Sequence, residues 1–175
     1  MSNMKKITDT VLIFGRSPFL NKVDVKALLG LGYTTFGINN QEFETDYVSF
    51  VDECIAEMHE TLPGTIITQS RHKVRQPAIF YDYYQGDFTH DFLLKWLHGR
   101  CSEAILIGCA DFCGNKHYNT EIEFNPAEEC IKRSIKFIEG IKDIKICKMN
   151  PDGVLNVPVK LYEDNFMVHP DLTRP

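Results

Sequence analysis

The sequence predicts a single-domain α/β fold, a Rossmann-like, mainly parallel sheet with helices on both faces. Short apolar runs alternate with segments of helical spacing, and two of these runs are closed directly by a glycine, Gly15 and Gly108. Such alternation is typical of parallel strands joined by right-handed crossovers. The chain has 175 residues, which fits one domain, 1–175, and is too short for two full ones.

Seven segments have the character of strands. The first, TVLIF, is apolar throughout, as expected for a strand buried on both faces of a parallel sheet. The second is rich in β-branched and aromatic residues. The predicted strands are residues 10–14, 33–38, 47–51, 65–68, 78–81, 104–107 and 144–147.

Four segments are predicted to be helices, residues 23–31, 53–60, 88–98 and 126–141. The last has the clearest signals. Asn125 can cap it, Pro126 suits its first position, and Glu128 and Glu129 favour the positive end of its dipole. An Asn-Pro-Asp-Gly turn follows the last strand, and residues 154–175 are expected to be irregular.

The composition excludes several classes of function. Lys plus Arg number 19 and Asp plus Glu number 24, which gives a formal charge of -5, whereas nucleic-acid binding depends on clustered basic residues. No apolar run approaches the roughly 20 residues of a membrane helix, and the apolar stretch near the N-terminus is too short for a signal peptide. We therefore expect no nucleic-acid partner, no membrane span and a cytoplasmic location.

The cysteines and histidines give no sign of a metal. The six cysteines have no CxxC spacing, so we expect reduced side chains, in agreement with a cytoplasmic location. The six histidines show no HExxH or other metal-ligand spacing. The sequence therefore predicts no bound metal ion.

Residues that directly follow strands are the first functional candidates, because ligands of parallel sheets bind beyond the carboxyl ends of the strands. The first such segment is GRSPFLN. Gly15 permits a sharp turn, and Arg16 can pair with a phosphate or a carboxylate. Ser17, Asn21 and the loop N–H groups can receive anionic oxygens. A structural turn and a phosphate site both stay open, since neither a GxGxxG nor a GxxxxGK[ST] motif is present.

The second segment is the asparagine pair that follows the second strand. The amides of Asn39 and Asn40 can both donate to and accept from a ribose or a base edge, although an Asx turn would use the same residues. Asp52 ends the third strand and is either a helix cap or a functional acid.

The third segment, GCADFCGNKHYN, follows the sixth strand. It combines a glycine at the strand end, Gly108, with a carboxylate, Asp111, and a histidine, His117. Imidazole groups suit proton transfer near neutral pH, so His117 and Asp111 are the candidate catalytic residues. A surface histidine without a role is the alternative interpretation of His117.

These segments, in this order, resemble the bacterial sialyltransferases that modify lipooligosaccharide, and a related domain family. That family includes archaeal 6-hydroxymethyl-dihydropterin diphosphokinases and proteins of flagellin-glycosylation loci. The matching stretches are VLIFGRSPFLNKVDVKALLGLGYTTFGINN (11–40), ILIGCADF (105–112) and IKICKMNPDGVLNVPVKLY (144–162). The chain departs from the family where Ser17 replaces a second glycine and where Cys109 and Ala110 replace one residue. It also has little room after Asp111 for the sialyltransferase lid.

The resemblance implies transfer of a sugar from a nucleotide sugar, such as a cytidine monophosphate sugar, to an acceptor hydroxyl without a required metal. The turn at 15–21 and Asn39 would then contact the phosphate and sugar of the nucleotide. Thr89 and His90 stand where the family has a turn at the nucleotide. This hypothesis predicts that nucleotide binding also depends on residues 108–111.

Two alternatives stay open. The resemblance to the diphosphokinases implies Mg²⁺-dependent pyrophosphate transfer, with Mg²⁺ held by carboxylates such as Asp52 and Asp111. A non-catalytic domain that binds a nucleotide or phosphate is the third hypothesis, because a fold does not imply an activity. Association into a homo-oligomer is compatible with all three.

Overall fold

The computed structural model describes residues 6–74, 77–82, 86–113 and 125–168. Within these residues, seven strands form one sheet and every strand pair is parallel. The strands are β1 (Thr10–Phe14), β2 (Thr34–Ile38), β3 (Tyr47–Ser49), β4 (Thr65–Thr68), β5 (Ala78–Phe80), β6 (Glu103–Ile107) and β7 (Lys145–Lys148). The α-helices are α1 (Val25–Leu29), α2 (Glu53–Ala56), α3 (Thr89–Leu97) and α4 (Glu128–Gly140). The predicted parallel α/β architecture is confirmed.

The order of strands in the sheet is β5-β4-β3-β2-β1-β6-β7. The chain builds outward from β1 to β5 and then returns through α3 to place β6 on the other side of β1. Leu12 in β1 is therefore in register with Thr35 of β2 on one side and with Ile105 of β6 on the other. The direction of winding reverses between β1 and β6, which is where ligands of open α/β sheets bind.

Both faces of the sheet are covered by helices. Val11 and Ile13 of β1 lie in a core that includes buried residues of α3 and α4. Leu12 and Phe14 point to the opposite face, into a second core that contains Leu28 of α1. This alternation explains why β1 is apolar at nearly every position, because each face of the strand meets its own core.

All four helices are shorter in the structure than predicted, and the contacts or the backbone explain two of the differences. The segment 53–60 is helical only as far as Ala56, because buried His59 bonds through Nδ1 to the carbonyl of Ala56 at 2.7 Å and a short 3-10 turn follows. The expectation that Asn125 caps the last helix is wrong. Ala127 is the N-cap residue, with extended backbone, and the helix begins at Glu128.

Residues 154–168, the described part of the predicted irregular extension 154–175, contain no strand. Residues 154–168 contain one short 3-10 helix, Asp164–Phe166, and single bridges tie Val159 to β7 and Met167 to Val23. Phe166 is buried in the core on the α1 face. No helix in the described ranges has both the length and the apolar character needed to cross a membrane.

Candidate functional site

The largest concentration of predicted site residues lies in a cleft of about 420 Å³ at the carboxyl ends of β1 and β6. Loops that follow β1, β2 and β6 form it together with the first residues of α3. The sequence-predicted residues in its lining are Gly15, Arg16, Ser17, Asn39, Asp52, Thr89, His90, Gly108 and Asp111. The volume falls in the range of about 300–1,000 Å³ that is usual for small-molecule sites.

Three other candidates are placed differently. Asn21 is exposed on the 3-10 helix Pro18–Lys22 and does not line the cleft. Asn40 lies behind Arg16 and accepts hydrogen bonds from it. His117, the predicted base, lies outside the described residues. Asp111 is therefore the candidate catalytic residue that the structure places in the cleft.

At the floor of the cleft the loops after β1 and β6 cross, at a distance that only glycine permits. A Cβ on Gly15 would lie 2.2 Å from the carbonyl oxygen of Gly108 and 2.6 Å from the Cα of Cys109. Gly108 has φ +59 and packs against Leu20, which a Cβ would approach to 2.9 Å. The two strand-end glycines thus allow the loops after β1 and β6 to touch.

The loop after β1 uses much of its polar capacity to bind the loop after β6. The N–H groups of Gly15 and Ser17 donate to the carbonyls of Ile107 and Gly108 at 3.0 and 2.9 Å. The hydroxyl of Ser17 accepts from the N–H of Phe19 at 3.3 Å and donates to Asp111. These N–H groups are therefore committed within the protein and are not available to a ligand.

Arg16 is half-buried at the cleft and is only partly paired. Its Nη1 donates to both the carbonyl (2.9 Å) and the side-chain oxygen of Asn40, which fixes one edge of the guanidinium. Its Nε is buried and has no acceptor in the described part of the chain. Burial lowers the pKa of Arg16, with Glu42 opposing the shift, but an arginine stays charged at neutral pH. The free donor suits an anionic oxygen.

Asp111 is the buried acid of the cleft, only 2% exposed. Its Oδ2 accepts a hydrogen bond of 2.5 Å from the hydroxyl of Ser17, whereas Oδ1 accepts none of ordinary geometry within the described ranges. Burial raises the pKa of Asp111, while Ser17, Asn150 and Lys148 act in the opposite direction. A carboxylate held in this way is a good proton acceptor.

Aromatic rings form another part of the cleft wall. Phe88 and His90 are stacked with ring centroids 5.0 Å apart and an interplanar angle of 9°, and Phe112 meets Phe88 at 5.2 Å. Thr89 donates to the side-chain oxygen of Asn39 at 3.2 Å, which joins the start of α3 to the end of β2. Aromatic rings and amide groups are the means by which proteins hold a planar base.

The loop after β6 has a strained backbone. Ala110 and Phe112 have φ of 54 and 48, in the left-handed region that residues with side chains rarely adopt, and Asn39 has φ 58. Strain of this kind persists where surrounding contacts enforce it and is concentrated at functional sites. Here it brings Asp111 and Phe112 to the cleft.

Sequence reasoning did not identify the aromatic wall or Asp87, which also lines the cleft. The only signal for Phe88 and Asp87 was their position directly before a predicted helix. It also missed the contact of His90 with Ser134, which is 44 residues away along the chain. No local pattern marks such a pair.

The described residues hold no group of three or more histidine, cysteine, aspartate or glutamate side chains that is arranged for a metal ion. Cys109 lies in the cleft, where burial raises its pKa well above the ordinary value and keeps it a thiol. All six cysteines are free.

Comparisons of the chain with protein-family models, curated proteins and solved structures each find no match. The resemblance to the sialyltransferases and diphosphokinases therefore stays a prediction, and the function has to be argued from the cleft.

Proposed function

We propose that the cleft binds a nucleotide sugar and that the protein transfers the sugar to an acceptor hydroxyl. The observation that carries the proposal is the buried Nε of Arg16, a donor with no acceptor in the described part of the chain. A phosphate oxygen in the cleft would supply that acceptor once the guanidinium of Arg16 turns to expose Nε. The N-cap residue of α3, Phe88, makes no side-chain capping bond, and the first turn of this helix begins at the same cleft, where it adds the positive end of a helix dipole.

The aromatic wall supports the nucleoside part of the ligand. The rings of Phe88 and Phe112 and the amide of Asn39 lie in the same cleft as Arg16. A base stacked on the aromatic side and a phosphate paired with Arg16 would use both features at once. The winding of the sheet reverses at this cleft, which is the usual place for such ligands.

In this proposal, Asp111 accepts the proton of the acceptor hydroxyl. The hydroxyl oxygen forms a bond to the anomeric carbon as the bond from that carbon to the phosphate oxygen breaks. The bonding electrons leave with the phosphate, whose negative charge Arg16 stabilises. Ser17 holds the carboxylate of Asp111 in place through its 2.5 Å hydrogen bond.

The alternative is Mg²⁺-dependent pyrophosphate transfer, and one observation favours it. Three carboxylates, Asp52, Asp87 and Asp111, line the cleft without being grouped around one point, and Mg²⁺ would bind through one or two of them together with substrate phosphates. Asp52 stands at the N-cap position of α2 without making a capping hydrogen bond, so its carboxylate is not committed to the helix. Reduced cysteines and a cytosolic nucleotide pool would place either activity in the cytoplasm.

A thermal-shift panel tests the proposal. It contains cytidine, uridine, adenosine and guanosine mono- and diphosphates and their sugar conjugates, each with and without Mg²⁺. Ligand at about 100 times its Kd stabilises the native state by about 2.7 kcal/mol, which shifts Tm measurably.

A shift with pyrimidine nucleotides or their sugar conjugates without Mg²⁺ supports glycosyl transfer. A shift with adenosine nucleotides only when Mg²⁺ is present supports pyrophosphate transfer instead. No shift with any compound contradicts both activities and favours a non-catalytic domain that binds none of these nucleotides.

A further inference from the structure

A buried chain of hydrogen bonds runs from the cleft into the contact between α3 and α4. The Nε2 of His90 lies 2.8 Å from the hydroxyl oxygen of Ser134, and that hydroxyl donates to Oδ1 of Asp91 at 2.8 Å. His90, Ser134 and Asp91 are 7%, 1% and 4% exposed. His90 is at the same time part of the cleft lining.

The hydrogen bonds among His90, Ser134 and Asp91 allow one arrangement of protons when Asp91 is ionised. A carboxylate can only accept, so the single proton of the Ser134 hydroxyl is committed to Asp91. Ser134 can then only accept from His90, which requires the proton of the ring to be on Nε2. The other nitrogen, Nδ1, makes no hydrogen bond within the described ranges and carries the free lone pair.

The ring of His90 is also held in orientation. It stacks on Phe88 with an interplanar angle of 9° and meets Phe112 edge-on at 5.6 Å. Burial lowers its pKa to about 3, so the imidazole is neutral in the physiological range. Asp91 is fixed in turn, because the backbone N–H groups of Phe88 and Asp87 donate to its carboxylate at the start of α3.

We infer that Asp91 and Ser134 are positioning residues that hold His90 as its Nε2-protonated tautomer, so that Nδ1 is a fixed hydrogen-bond acceptor in the cleft. The site then selects a ligand that presents an N–H or O–H donor at this point and rejects one that presents only an acceptor. The ligand part of this inference rests on the proposed nucleotide function, whereas the tautomer is a property of the free protein.

The tautomer is measured by NMR of the full chain with isotope-labelled histidine nitrogens at about pH 8, where Asp91 is ionised. His90→Gln identifies the signals of this ring among the six histidines. We expect protonation on Nε2 in the wild type. Protonation on Nδ1, or an even mixture of the two tautomers, overturns the inference even if no variant can be prepared.

Asp91→Asn is the informative variant. The backbone donors keep the oxygen of the new amide, so its NH₂ group turns to Ser134 and the hydroxyl proton is released to His90. We expect the ring proton to move to Nδ1. The matched control is Asp46→Asn, because Asp46 accepts from Thr35 at 2.9 and 3.1 Å and does not line the cleft. An unchanged tautomer in Asp91→Asn contradicts the inference, as does a change in the control.

A ligand experiment tests the selection. Cytidine monophosphate and its N4,N4-dimethyl analogue, which lacks the amino hydrogens, are titrated into wild type and Asp91→Asn. Loss of one hydrogen bond is expected to weaken wild-type binding about two- to tenfold, and the difference is expected to disappear in Asp91→Asn.

Equal binding of both compounds to the wild type overturns the selection. A correct tautomer without any binding of cytidine monophosphate refutes the nucleotide proposal and the selection, and leaves only the positioning of His90 standing.

Discussion

At the scale of single residues, the cleft depends on Gly15 having no side chain. Gly15→Ala would bring a methyl group to 2.2 Å from the carbonyl oxygen of Gly108, a contact with backbone that cannot move aside. We expect a loss of about 1–3 kcal/mol in the free energy of unfolding, measured by urea denaturation. Gly140→Ala is the control, because a Cβ there meets nothing within 4 Å. Equal stability of the two variants would refute the described crossing.

Replacement of Asp111 is expected to lower activity without lowering the free energy of unfolding. Burial disfavours its ionised form, so Asp111→Asn should leave the free energy of unfolding at pH 7.5 unchanged or higher, since the amide can still accept from Ser17. Turnover of a nucleotide-sugar donor should fall by about 10²–10⁴-fold, as is usual when a proton acceptor is removed. Denaturation and donor-consumption assays measure the two effects. Full activity in this variant would exclude Asp111 as the base.

At the scale of elements, α3 begins with two buried groups whose protonation has opposite effects on stability. Burial lowers the pKa of His90 from 6.5 to about 3, so its contribution to stability rises with pH across that interval. Burial raises the pKa of Asp91 from 3.8 to about 6, so its contribution falls as pH increases across that interval. The two effects partly cancel between these values.

Asp91→Asn removes one of the opposing effects. Between about pH 4 and pH 6, the free energy of unfolding of this variant should therefore rise more steeply with pH than that of the wild type. Urea denaturation at intervals across this range measures both slopes. Parallel curves would mean that Asp91 does not hold its proton in the native state at these pH values.

Hydrogen bonds from Lys148 and from the turn after β7 stabilise the segment that contacts the backbone of Asp111. The buried ammonium of Lys148 donates to the carbonyls of Gly153 and Leu155 at 2.6 and 2.8 Å, and the N–H of Val154 donates to the carbonyl of Asp111 at 3.1 Å. Lys148→Met leaves two carbonyls unpaired and should lower the free energy of unfolding, measured by urea denaturation, by about 1–3 kcal/mol. Lys145 on the same strand is exposed, so Lys145→Met should change the free energy of unfolding by less than about 0.5 kcal/mol. Equal losses in both variants would contradict the role of Lys148.

The strands could be predicted from sequence and the helix ends could not, for a physical reason. A strand buried on both faces has to be apolar along its length, so β1 and β6 are evident in the sequence. Where a helix ends depends on competing contacts, such as the bond from His59 to Ala56, that no periodicity records. The capping role expected of Asn125 failed in the same way, because the backbone is extended at Ala127 and the helix begins only at Glu128.

Part of the candidate site could likewise be predicted from the sequence, and part of it could not. Arg16, Gly108 and Asp111 follow strands directly, and parallel strands bring their carboxyl ends to one edge, so the sequence predicts their proximity. The partners of these residues come from distant parts of the chain. The hydrogen bond from Ser17 to Asp111 joins residues 94 positions apart, and the pairing appears only once β1 and β6 are neighbours.

At the scale of the whole molecule, the order of the strands places one cleft at the centre of the sheet. Because the chain winds from β1 to β5 and then returns to β6, the loops after β1, β2 and β6 and the start of α3 meet at one edge of the sheet and line the cleft together. The central claim is that this cleft binds a phosphorylated ligand through Arg16.

Calorimetric titration of cytidine monophosphate into wild type, Arg16→Ala and Arg100→Ala tests that claim most directly. Arg100 is a matched control, since it lies beyond the far end of α3, stacked 4.7 Å over the ring of Trp96. We expect the Kd to rise by about 10–100-fold in Arg16→Ala, as for loss of a hydrogen bond to a charged group, and to stay at the wild-type value in Arg100→Ala. The same Kd in Arg16→Ala and wild type, or no binding to the wild type, would contradict the claim.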